Sequence, residues 1–440
     1  MDLTDALAYL DQHTNMERII AGRKDAPTLE RMQRLCAVLG DPQHAYPVIH
    51  ITGTNGKGST ARMVTSLLVA HGLAVGTYMS PHVERIHERI SRDGAAIDDV
   101  ELAEAIAAVA AVEPVVAVRP NYFEILTAAA FRWFAEVAVD VAVVEVGMLG
   151  RWDATNVVDA AVAVVTNVGL DHTAFAGPTV LDVAREKAGV VKPGSTVVMG
   201  DSDPAVAALF RDAGGARTWE RDRDFACERN RVAHGGRLVD IRTPSGVHED
   251  VLVPLHGPHQ GDNAAAAVTA VEAFFDRPLD HEVVEDGLAA VTVPGRFEVV
   301  ERQPVVILDS AHNPDGARAA ATTLDEEFRA AASRVIVVGM LRGHDLTGTL
   351  RALGVGGARL VVACAADWPK SVPAEEVAAA AAQLGADTEV VPRVADAVDL
   401  AVSAAFDDDL VFVTGSFYVV GEARSHLRGS AGSPARRRSP

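Results

Sequence analysis

Cysteine and long uncharged apolar runs are scarce in this sequence of 440 residues. Its three cysteines, Cys36, Cys227 and Cys364, lie far apart and form no C-x-x-C pair, so they indicate neither a disulfide framework nor a zinc site. We expect them to be small buried hydrophobes. No run of about eighteen apolar residues lacks a charge or a turn signal, and the N-terminus is acidic where a secretory signal would be basic. These absences predict a cytoplasmic protein with no membrane partner.

Basic charge is also in short supply. The 40 lysines and arginines are outnumbered by 60 aspartates and glutamates, which gives a formal net charge of −20. Binding to a nucleic-acid backbone requires a basic surface, so we expect no nucleic-acid partner. Only the tail from Arg428, RGSAGSPARRRSP, is small, polar and basic, and its composition is that of a disordered end.

The length predicts two or three domains, and the hydrophobic content of 49% predicts large cores. The alternation of strands and helices favours two α/β domains. From Val48 to about Lys192, the strand-like runs VIHIT, AVGTYMS, VAVVEVG and AVAVVTNVG alternate with helical segments, which predicts a P-loop-type parallel sheet. We expect residues 195–255 to add strands that flank this sheet. The pattern restarts after Pro294 with VVILDS, RVIVVGM, RLVVACA and LVFVTGS, which predicts a smaller Rossmann-like domain. The predicted boundaries are 1–294, 295–427 and a tail at 428–440.

The stretch VIHITGTNGKGST, residues 48–60, has the order strand, glycine loop, helix. In the usual nucleotide loop, G-x-x-x-x-G-K-S/T, the hydroxyl residue follows the lysine directly. Here Gly58 separates Lys57 from Ser59. The buried strand and the following helix still place backbone N–H groups and a helix N-terminus around an anion. We therefore interpret the stretch as a variant phosphate-binding loop rather than an ordinary glycine-rich turn.

Polar side chains follow several of the predicted strands. Glu145 ends one of them, Ser80 follows another, and Asp171 and His172 follow a third. Because the carboxyl ends of parallel strands form the ligand-binding edge of a sheet, Ser59, Ser80, Glu145 and His172 offer a mostly oxygen shell for Mg²⁺ on phosphate. Each has an alternative: Glu145 as a cap or ion-pair partner, His172 as a hydrogen-bonded histidine, and Ser80 as a turn serine.

Ten short motifs cover nearly the whole chain except the tail. They are GTNGKGS (53–59), SPH (80–82), YFEILTAAAF (122–131), EVG with GRWDATN (145–156), LDH (170–172), REKAGVVKPG (185–194), HQGDNAAAA (259–267), PGRFE (294–298), LDSAHNP (308–314) and GSFYVVGE (415–422). In this order they resemble the folylpolyglutamate synthase and dihydrofolate synthase family of the Mur ligase superfamily. That superfamily also has glycine between the lysine and the serine of its loop.

The resemblance implies an ATP-dependent ligase that makes an amide. Its carboxylate substrate, dihydropteroate or a reduced folate, would attack the γ-phosphate of ATP, and the amino group of L-glutamate would displace phosphate from the acyl phosphate. Mg²⁺ and Lys57 would neutralise charge. A monomer is expected. Two alternatives stay open: the same machinery acting on another carboxylate, as in peptidoglycan-precursor ligases, and a nucleotide-binding module without turnover.

The resemblance also implies roles for individual residues. Lys57 and Lys187 would be catalytic, with Lys187 carbamylated; the alternative for Lys187 is an ordinary structural lysine. Ser80, Glu145 and His172 match the metal ligands. The implied nucleotide contacts are Thr54, Asn55, Gly56, Lys57, Gly58, Ser59, Asn263, Arg296 and Asp309, and the implied substrate contacts are Phe123, Thr127, Arg151, Trp152, Asp153 and His312. Closure of the second domain would complete the site.

The chain departs from the family pattern at a few positions. Met148, Leu149 and Trp152 differ from the family's EVGLGGRLDATN. Ser310 stands where glycine is usual, and His344 where the family tends to lysine. We expect these changes to leave the ATP chemistry intact and to alter the pocket for the pteridine ring.

Overall fold

The computed structural model describes residues 1–18, 28–116, 119–171 and 173–431. The chain divides into two compact units, of which the first comprises residues 1–82, 86–254 and 259–292. The second comprises residues 83–85, 255–258 and 293 onward. The main division therefore lies after Thr292, close to the predicted boundary at Pro294. The sequence did not predict that two short segments of the first half belong to the second unit.

The first unit contains a large sheet covered by helices. The strands of the first unit are β1 (Val48–Thr52), β2 (Val75–Tyr78), β3 (Ile90–Arg92), β4 (Ala95–Ala96), β5 (Val141–Glu145), β6 (Ala160–Val165), β7 (Thr196–Met199), β8 (Arg217–Glu220), β9 (Ala226–Ala233), β10 (Gly236–Thr243) and β11 (Gly246–Val253). Its helices are α1 (Leu3–Asp11), α2 (Glu30–Val38), α3 (Lys57–Ala70), α4 (Asp99–Val116), α5 (Tyr122–Glu136), α6 (Thr173–Ala176), α7 (Val180–Lys187), α8 (Pro204–Arg211), α9 (His259–Phe275) and α10 (His281–Ala289).

The large sheet has the strand order β4-β3-β2-β5-β1-β6-β7-β8. Strand β1 lies between β5 and β6 and pairs with both in parallel, whereas β3 and β4 form an antiparallel edge. Every residue of β1 and β5 is buried, as expected for parallel strands with helices on both faces. The predicted α/β sheet is confirmed, and the runs VIHIT, AVGTYMS, VAVVEVG and AVAVVTNVG form β1, β2, β5 and β6.

Residues 195–255 do not all flank the large sheet, so this expectation was partly wrong. Strands β7 and β8 join it, but β9, β10 and β11 form a separate antiparallel sheet. Tight turns connect these three strands, and Gly235 in the first turn has a φ of 78°. A short hairpin connection produces antiparallel neighbours, because a parallel pair requires a long crossover.

The second unit is a smaller α/β domain with its own core. Its strands are β12 (Glu298–Arg302), β13 (Val305–Leu308), β14 (Arg334–Val338), β15 (Leu360–Ala365), β16 (Thr388–Arg393) and β17 (Leu410–Thr414). Its helices are α11 (Pro314–Glu327), α12 (Leu346–Leu353), α13 (Ala374–Gln383), α14 (Val394–Ala404) and α15 (Phe417–Ala431). The sheet order is β12-β13-β17-β14-β15-β16, parallel except for β12.

Helix α15 includes Arg428 and ends at Ala431, so it extends past the predicted boundary after residue 427. Residues 432–440 lie outside the described part of the chain. No helix within the described residues is long and apolar enough to cross a membrane. The three cysteines are free; Cys36 and Cys364 are buried as expected, whereas Cys227 is half-buried.

Polar contacts hold the 83–85 and 255–258 segments within the second unit. The carboxylate of Glu84 accepts hydrogen bonds from the guanidinium of Arg424 and, at 2.9 Å, from the hydroxyl of Ser425. The carboxylate of Glu327, at the end of α11, accepts a hydrogen bond of 2.7 Å from a backbone N–H of the 255–258 segment. Both segments are therefore fixed by side chains that come from far along the sequence.

Candidate active site

The glycine loop lies between β1 and α3, where two residues adopt backbone angles that favour glycine. Gly53 has a φ of 152° and Gly56 a φ of 82°. A Cβ on Gly53 would lie 1.8 Å from the hydroxyl of Thr166, and one on Gly56 would lie 2.6 Å from the side-chain oxygen of Asn263. The loop thus packs directly against Asn263, one of the predicted nucleotide contacts. Helix α3 begins at Lys57 without a side-chain cap, which leaves first-turn N–H groups for an anion.

The segment that follows β6 braces the loop. The backbone N–H of Thr54 donates to the carbonyl of Asn167 at 2.9 Å, and the N–H of Asn55 donates to the Asn167 side chain at 2.9 Å. The hydroxyl of Thr166 donates to the Asn55 carbonyl at 2.6 Å. Sequence reasoning missed Thr166 and Asn167, although their place directly after a predicted strand was the available signal. These bonds fix the conformation of the loop.

The structure brings Ser80 and Glu145 to the same place as the loop. The N–H of Ser80 donates to the Glu145 carboxylate at 3.3 Å, and that carboxylate lies 3.7 Å from the position a Cβ would take on Gly58. Ser59, the next residue after Gly58, is buried in the first turn of α3. The additional glycine therefore lies directly beside the proposed metal-binding carboxylate, at a distance where a Cβ would make an ordinary van der Waals contact. His172, the remaining predicted ligand, lies outside the described residues.

This donor set fits Mg²⁺ only together with a nucleotide. Within the described ranges, no group of three or more His, Cys, Asp or Glu side chains is arranged to hold a metal ion. Glu145 contributes one carboxylate, and Ser59 and Ser80 contribute hydroxyl groups. Mg²⁺ is commonly bound through one or two carboxylates, with phosphate oxygens and waters completing its shell. The residues present therefore suit a magnesium ion that arrives with ATP.

Two lysines share one backbone carbonyl in the loop. Lys187 donates to the Gly53 carbonyl at 2.7 Å, and Lys57 donates to the same oxygen at 3.2 Å and to the Thr54 carbonyl at 3.3 Å. Lys187 is only 2% exposed. Burial, and secondarily the charge of Lys57, lowers the pKa of Lys187 to about 7. A substantial fraction of Lys187 is therefore a neutral, nucleophilic amine at physiological pH.

Helix α5 and the loop after β5 bring together several of the predicted substrate residues. Phe123 packs against Gly147, where a Cβ would lie 2.5 Å from its ring. Thr127 is buried, and its hydroxyl donates to the Phe123 carbonyl at 2.7 Å. Arg151 is exposed and its N–H donates to the Glu186 carbonyl at 2.8 Å, next to Lys187. Trp152 is also exposed, at 44%.

The carboxylate of Asp153 is directed into its own loop. It accepts hydrogen bonds from the N–H of Met148 at 2.8 Å, the N–H of Thr155 at 3.0 Å and the hydroxyl of Thr155 at 2.6 Å. Burial raises the pKa of Asp153, and these hydrogen bonds oppose the shift. Leu149, at a position where the family pattern has glycine, has a φ of 61°. The bonds to Asp153 therefore define the shape of the whole turn.

In the second unit, the predicted residues Asp309 and His312 follow β13, and Arg296 lies just before β12. Asp309 is buried and accepts from the backbone N–H groups of residues 297 and 311, at 3.1 and 2.9 Å. Burial raises its pKa, and the charge of Arg296 opposes the shift. The Arg296 guanidinium lies 4.5 Å from the ring centre of Phe417. The rings of His312 and His344 are 5.1 Å apart, so two imidazoles and a guanidinium gather at the carboxyl edge of this sheet.

The side chain of Ser310 is bonded elsewhere, whereas its carbonyl oxygen lies 2.9 Å from Nδ1 of His312. Ser310 is fully buried, and its hydroxyl donates to the Gly295 carbonyl at 3.0 Å. The departure from glycine at this position therefore strengthens the connection before β12 instead of adding a group to a binding surface.

Comparison with known proteins establishes the class of this protein. Residues 51–271 match the Mur ligase middle domain, and residues 295–417 match the Mur ligase, glutamate ligase domain. The chain is an ATP-dependent ligase of the Mur type. Among its relatives, the dihydrofolate synthase/folylpolyglutamate synthase of Mycobacterium tuberculosis is 39% identical, across 91% of this chain and 90% of the relative. The chain belongs to the folylpolyglutamate synthase/dihydrofolate synthase family, which confirms the resemblance found in its motifs.

Solved structures agree with this assignment. The folylpolyglutamate synthase of Mycobacterium tuberculosis complexed with ADP matches with a TM-score of 0.90 and 35% identity, covering 100% of this chain and 99% of the other. A bifunctional folylpolyglutamate synthase/dihydrofolate synthase with Mn, AMPPNP and L-glutamate bound matches with a TM-score of 0.84 and 29% identity, covering 97% and 98%. The predicted fold class is thereby confirmed for both halves of the chain.

Proposed function

We propose that this chain joins L-glutamate to dihydropteroate, to a reduced folate, or to both, at the expense of ATP. The observation that carries this proposal is the meeting of the glycine loop, Lys57, Ser80 and Glu145 at one edge of the first sheet. The relatives favour folate chemistry over another carboxylate substrate, since a relative that matches most of this chain is named as a folate ligase. A module without turnover is also disfavoured, because it would leave the buried Lys187 beside the loop without a purpose.

The glycine loop holds the nucleotide in place and offsets its negative charge. Its N–H groups and the start of α3 hold phosphate oxygens, while the ammonium of Lys57 offsets charge on the γ-phosphoryl group during transfer. A carboxylate oxygen of the pteroate or folate attacks the γ-phosphorus, and ADP leaves. The amino nitrogen of glutamate then attacks the acyl carbon, phosphate leaves, one N–H proton is released, and an amide forms. Mg²⁺ held by Ser80, Glu145 and the matching His172 would neutralise phosphate charge when bound.

We propose that the side chain of Lys187 is converted to a carbamate. Its unprotonated nitrogen would bond to the carbon of CO₂ and release one proton, which replaces a cationic side chain with an anionic one. The sharing of the Gly53 carbonyl with Lys57 supports this step, because two ammonium groups on one oxygen repel each other. An anion here would also attract Lys57 and support a magnesium ion nearby.

The remaining assignments rest on the family resemblance. Nucleotide contacts are proposed for the rest of the loop, Asn263, Arg296 and Asp309, and substrate contacts for Phe123, Thr127, Arg151, Trp152 and Asp153. His312 is proposed to contact glutamate, since imidazole and guanidinium groups at one edge suit its carboxylates. We also propose a cytoplasmic monomer.

A product assay tests the function. Dihydropteroate and tetrahydrofolate are offered separately with ATP, Mg²⁺ and L-glutamate, and the products are identified by mass. Each accepted substrate should gain one glutamate residue with stoichiometric phosphate release. Lys57→Ala should lose on the order of three orders of magnitude in rate while remaining folded, because it removes charge from the transferring phosphoryl group. Phosphate release without glutamate addition to either substrate would contradict the proposal.

A further inference from the structure

Strand β1 carries two polar side chains that the proposed chemistry does not use. In VIHIT, His50 and Thr52 are both fully buried at the centre of the large sheet. They are two residues apart, so they project from the same face of the strand. A polar group in such a place costs free energy unless it makes hydrogen bonds, and apolar residues would fill the position at lower cost. The bonds that these two residues make therefore indicate their role.

His50 begins a hydrogen-bonded chain that ends on Asp153. Its Nε2 lies 2.9 Å from the hydroxyl of Thr155, and that hydroxyl donates to the Asp153 carboxylate at 2.6 Å. A hydroxyl has one proton to donate, so it must accept a hydrogen bond from Nε2–H of His50. The chain thus has a single direction, from imidazole to hydroxyl to carboxylate.

The other ring nitrogen of His50, Nδ1, shows that this arrangement costs free energy. Nδ1 is buried and has no hydrogen-bond partner among the described residues. Burial, followed by the nearby charge of Lys192, lowers the pKa of His50 to about 3. The imidazole therefore stays neutral, with its proton on Nε2, through the pH range in which a cytoplasmic enzyme works.

Thr52 provides a second attachment to the same turn. Its hydroxyl donates to the carbonyl of Leu149 at 2.7 Å, and Leu149 is the residue with the left-handed backbone. Asp153, held through Thr155, in turn accepts from the N–H of Met148. The two side chains of β1 therefore fix residues 147–153 near the middle and at the end of the turn.

We infer that His50 is a positioning residue for substrate recognition, acting through Thr155 and Asp153 on the turn 147–153, with Thr52 as its partner. This inference rests on the proposed function, which places the pteridine pocket at this turn. The rigid centre of the sheet thus determines the shape of the turn, and His50 itself contacts neither substrate nor nucleotide.

Steady-state kinetics with conservative variants test the inference. His50→Leu removes the donor, whereas His50→Gln offers an amide N–H at a position close to Nε2. We expect His50→Leu to raise KM for the folate substrate about tenfold, as the loss of one buried hydrogen bond would, with little change in KM for ATP or glutamate. His50→Gln should restore most of the affinity. Thr52→Val and Thr155→Val, which delete only hydroxyl groups, should reproduce the effect if His50→Leu does not fold.

His248→Leu is the matched control, because His248 is a buried histidine on β11, in the separate antiparallel sheet. It should change Tm without changing KM for the folate substrate. Equal effects of His248→Leu and His50→Leu on KM, or folded His50→Leu and Thr155→Val with unchanged KM, would overturn the inference.

A second measurement separates this inference from the proposed function. Hydrogen exchange of peptides that cover residues 147–153 should be faster in His50→Leu than in the wild type or in His248→Leu. A wild type inactive with both folate substrates would defeat the proposed function, while the exchange result would still report on the turn. Unchanged exchange in an active His50→Leu would defeat the inference alone.

Discussion

At the residue scale, Lys187 is a buried ionisable group that makes folding less favourable at neutral and low pH. Its amine is buried, and its pKa is lowered to about 7 from an ordinary value of 10.5. Between these two values the unfolded chain binds a proton that the folded chain does not, so this group makes folding more favourable as pH rises through that window. Below about pH 7 the folded protein must bury an ammonium and bears the full cost.

Lys187→Met should therefore raise Tm in bicarbonate-free buffer while removing most ligase activity. Methionine fills the site with an unbranched apolar chain and needs no proton. The gain in Tm should be largest at pH 7 or below and should shrink toward pH 10, as followed by thermal unfolding across that range. Arg185→Met, at an exposed position on the same helix, serves as the control and should change neither Tm nor activity appreciably. A gain that grows with pH would contradict the assigned pKa direction.

Leu149 offers a second test at this scale. A residue with a side chain pays about 1–2 kcal/mol for a left-handed backbone, which glycine avoids. We expect Leu149→Gly to be more stable than Leu149→Ala by about 1 kcal/mol, measured as the free energy of unfolding in denaturant. At Val146, which is buried and lacks a positive φ, the order should be reversed. An alanine variant that is more stable than the glycine variant at both positions would show that the turn relaxes when the leucine is removed.

At the scale of elements, the sequence predicted those whose burial produces a clear pattern. β5 and β6 are apolar runs, and β1 is interrupted before its end only by His50; polar residues stand at or just after their carboxyl ends, so both the strands and the position of Glu145 could be inferred. β16 was missed because most of its residues are exposed and it contains Pro392 at the edge of its sheet. The separate sheet of β9–β11 was misplaced because alternating patterns do not specify which sheet a strand joins. The chain from His50 to Asp153 was missed because hydrogen-bond partners distant in sequence leave no periodic signal.

The start of helix α5 allows a test of how an element supports the site. Asn121 accepts from the N–H of Glu124 at 2.9 Å, and the Glu124 carboxylate accepts from the N–H of Asn121 at 2.7 Å. Asn121→Ala should cost about 1 kcal/mol of unfolding free energy and lower Tm by about 2 °C, whereas Asn121→Asp should retain the cap. Because α5 carries Phe123 and Thr127, KM for the folate substrate should rise in the alanine variant. A Tm equal to that of wild type would show that the neighbouring packing holds the helix without its cap.

At the scale of the whole molecule, the sequence indicated two domains but not the way the chain distributes between them. The expected boundary near Pro294 rests on the strand pattern, which restarts after that residue. The membership of residues 83–85 and 255–258 in the second unit depends on contacts with Glu327 and Arg424, which lie far along the chain. Such contacts depend on three-dimensional packing, so the linear order of residues does not reveal them.

A split of the chain after residue 292 should expose this arrangement. The fragment 293–431 lacks both segments, so Gly421 loses its close neighbour Val83, and Glu327 and Arg424 lose partners. We expect this fragment alone to aggregate or to melt at a lower temperature than the full chain, and co-expression with 1–292 to restore a soluble pair that co-purifies. A fragment that is monomeric, folded and as stable alone as in the full chain would show that the segments contribute little.

The interleaved chain has a consequence for recombination between related genes. A crossover after residue 292 would transfer the contiguous part of the second unit but would leave its 83–85 and 255–258 segments with the recipient. The transferred part would then have to accept foreign residues opposite Glu327, Arg424 and Gly421. Glu84 and Arg424 are therefore inherited usefully only as a pair, although 340 positions separate them. Functional chimeras should be those that exchange the short segments together with the second half, so the unit of exchange is discontinuous in the gene.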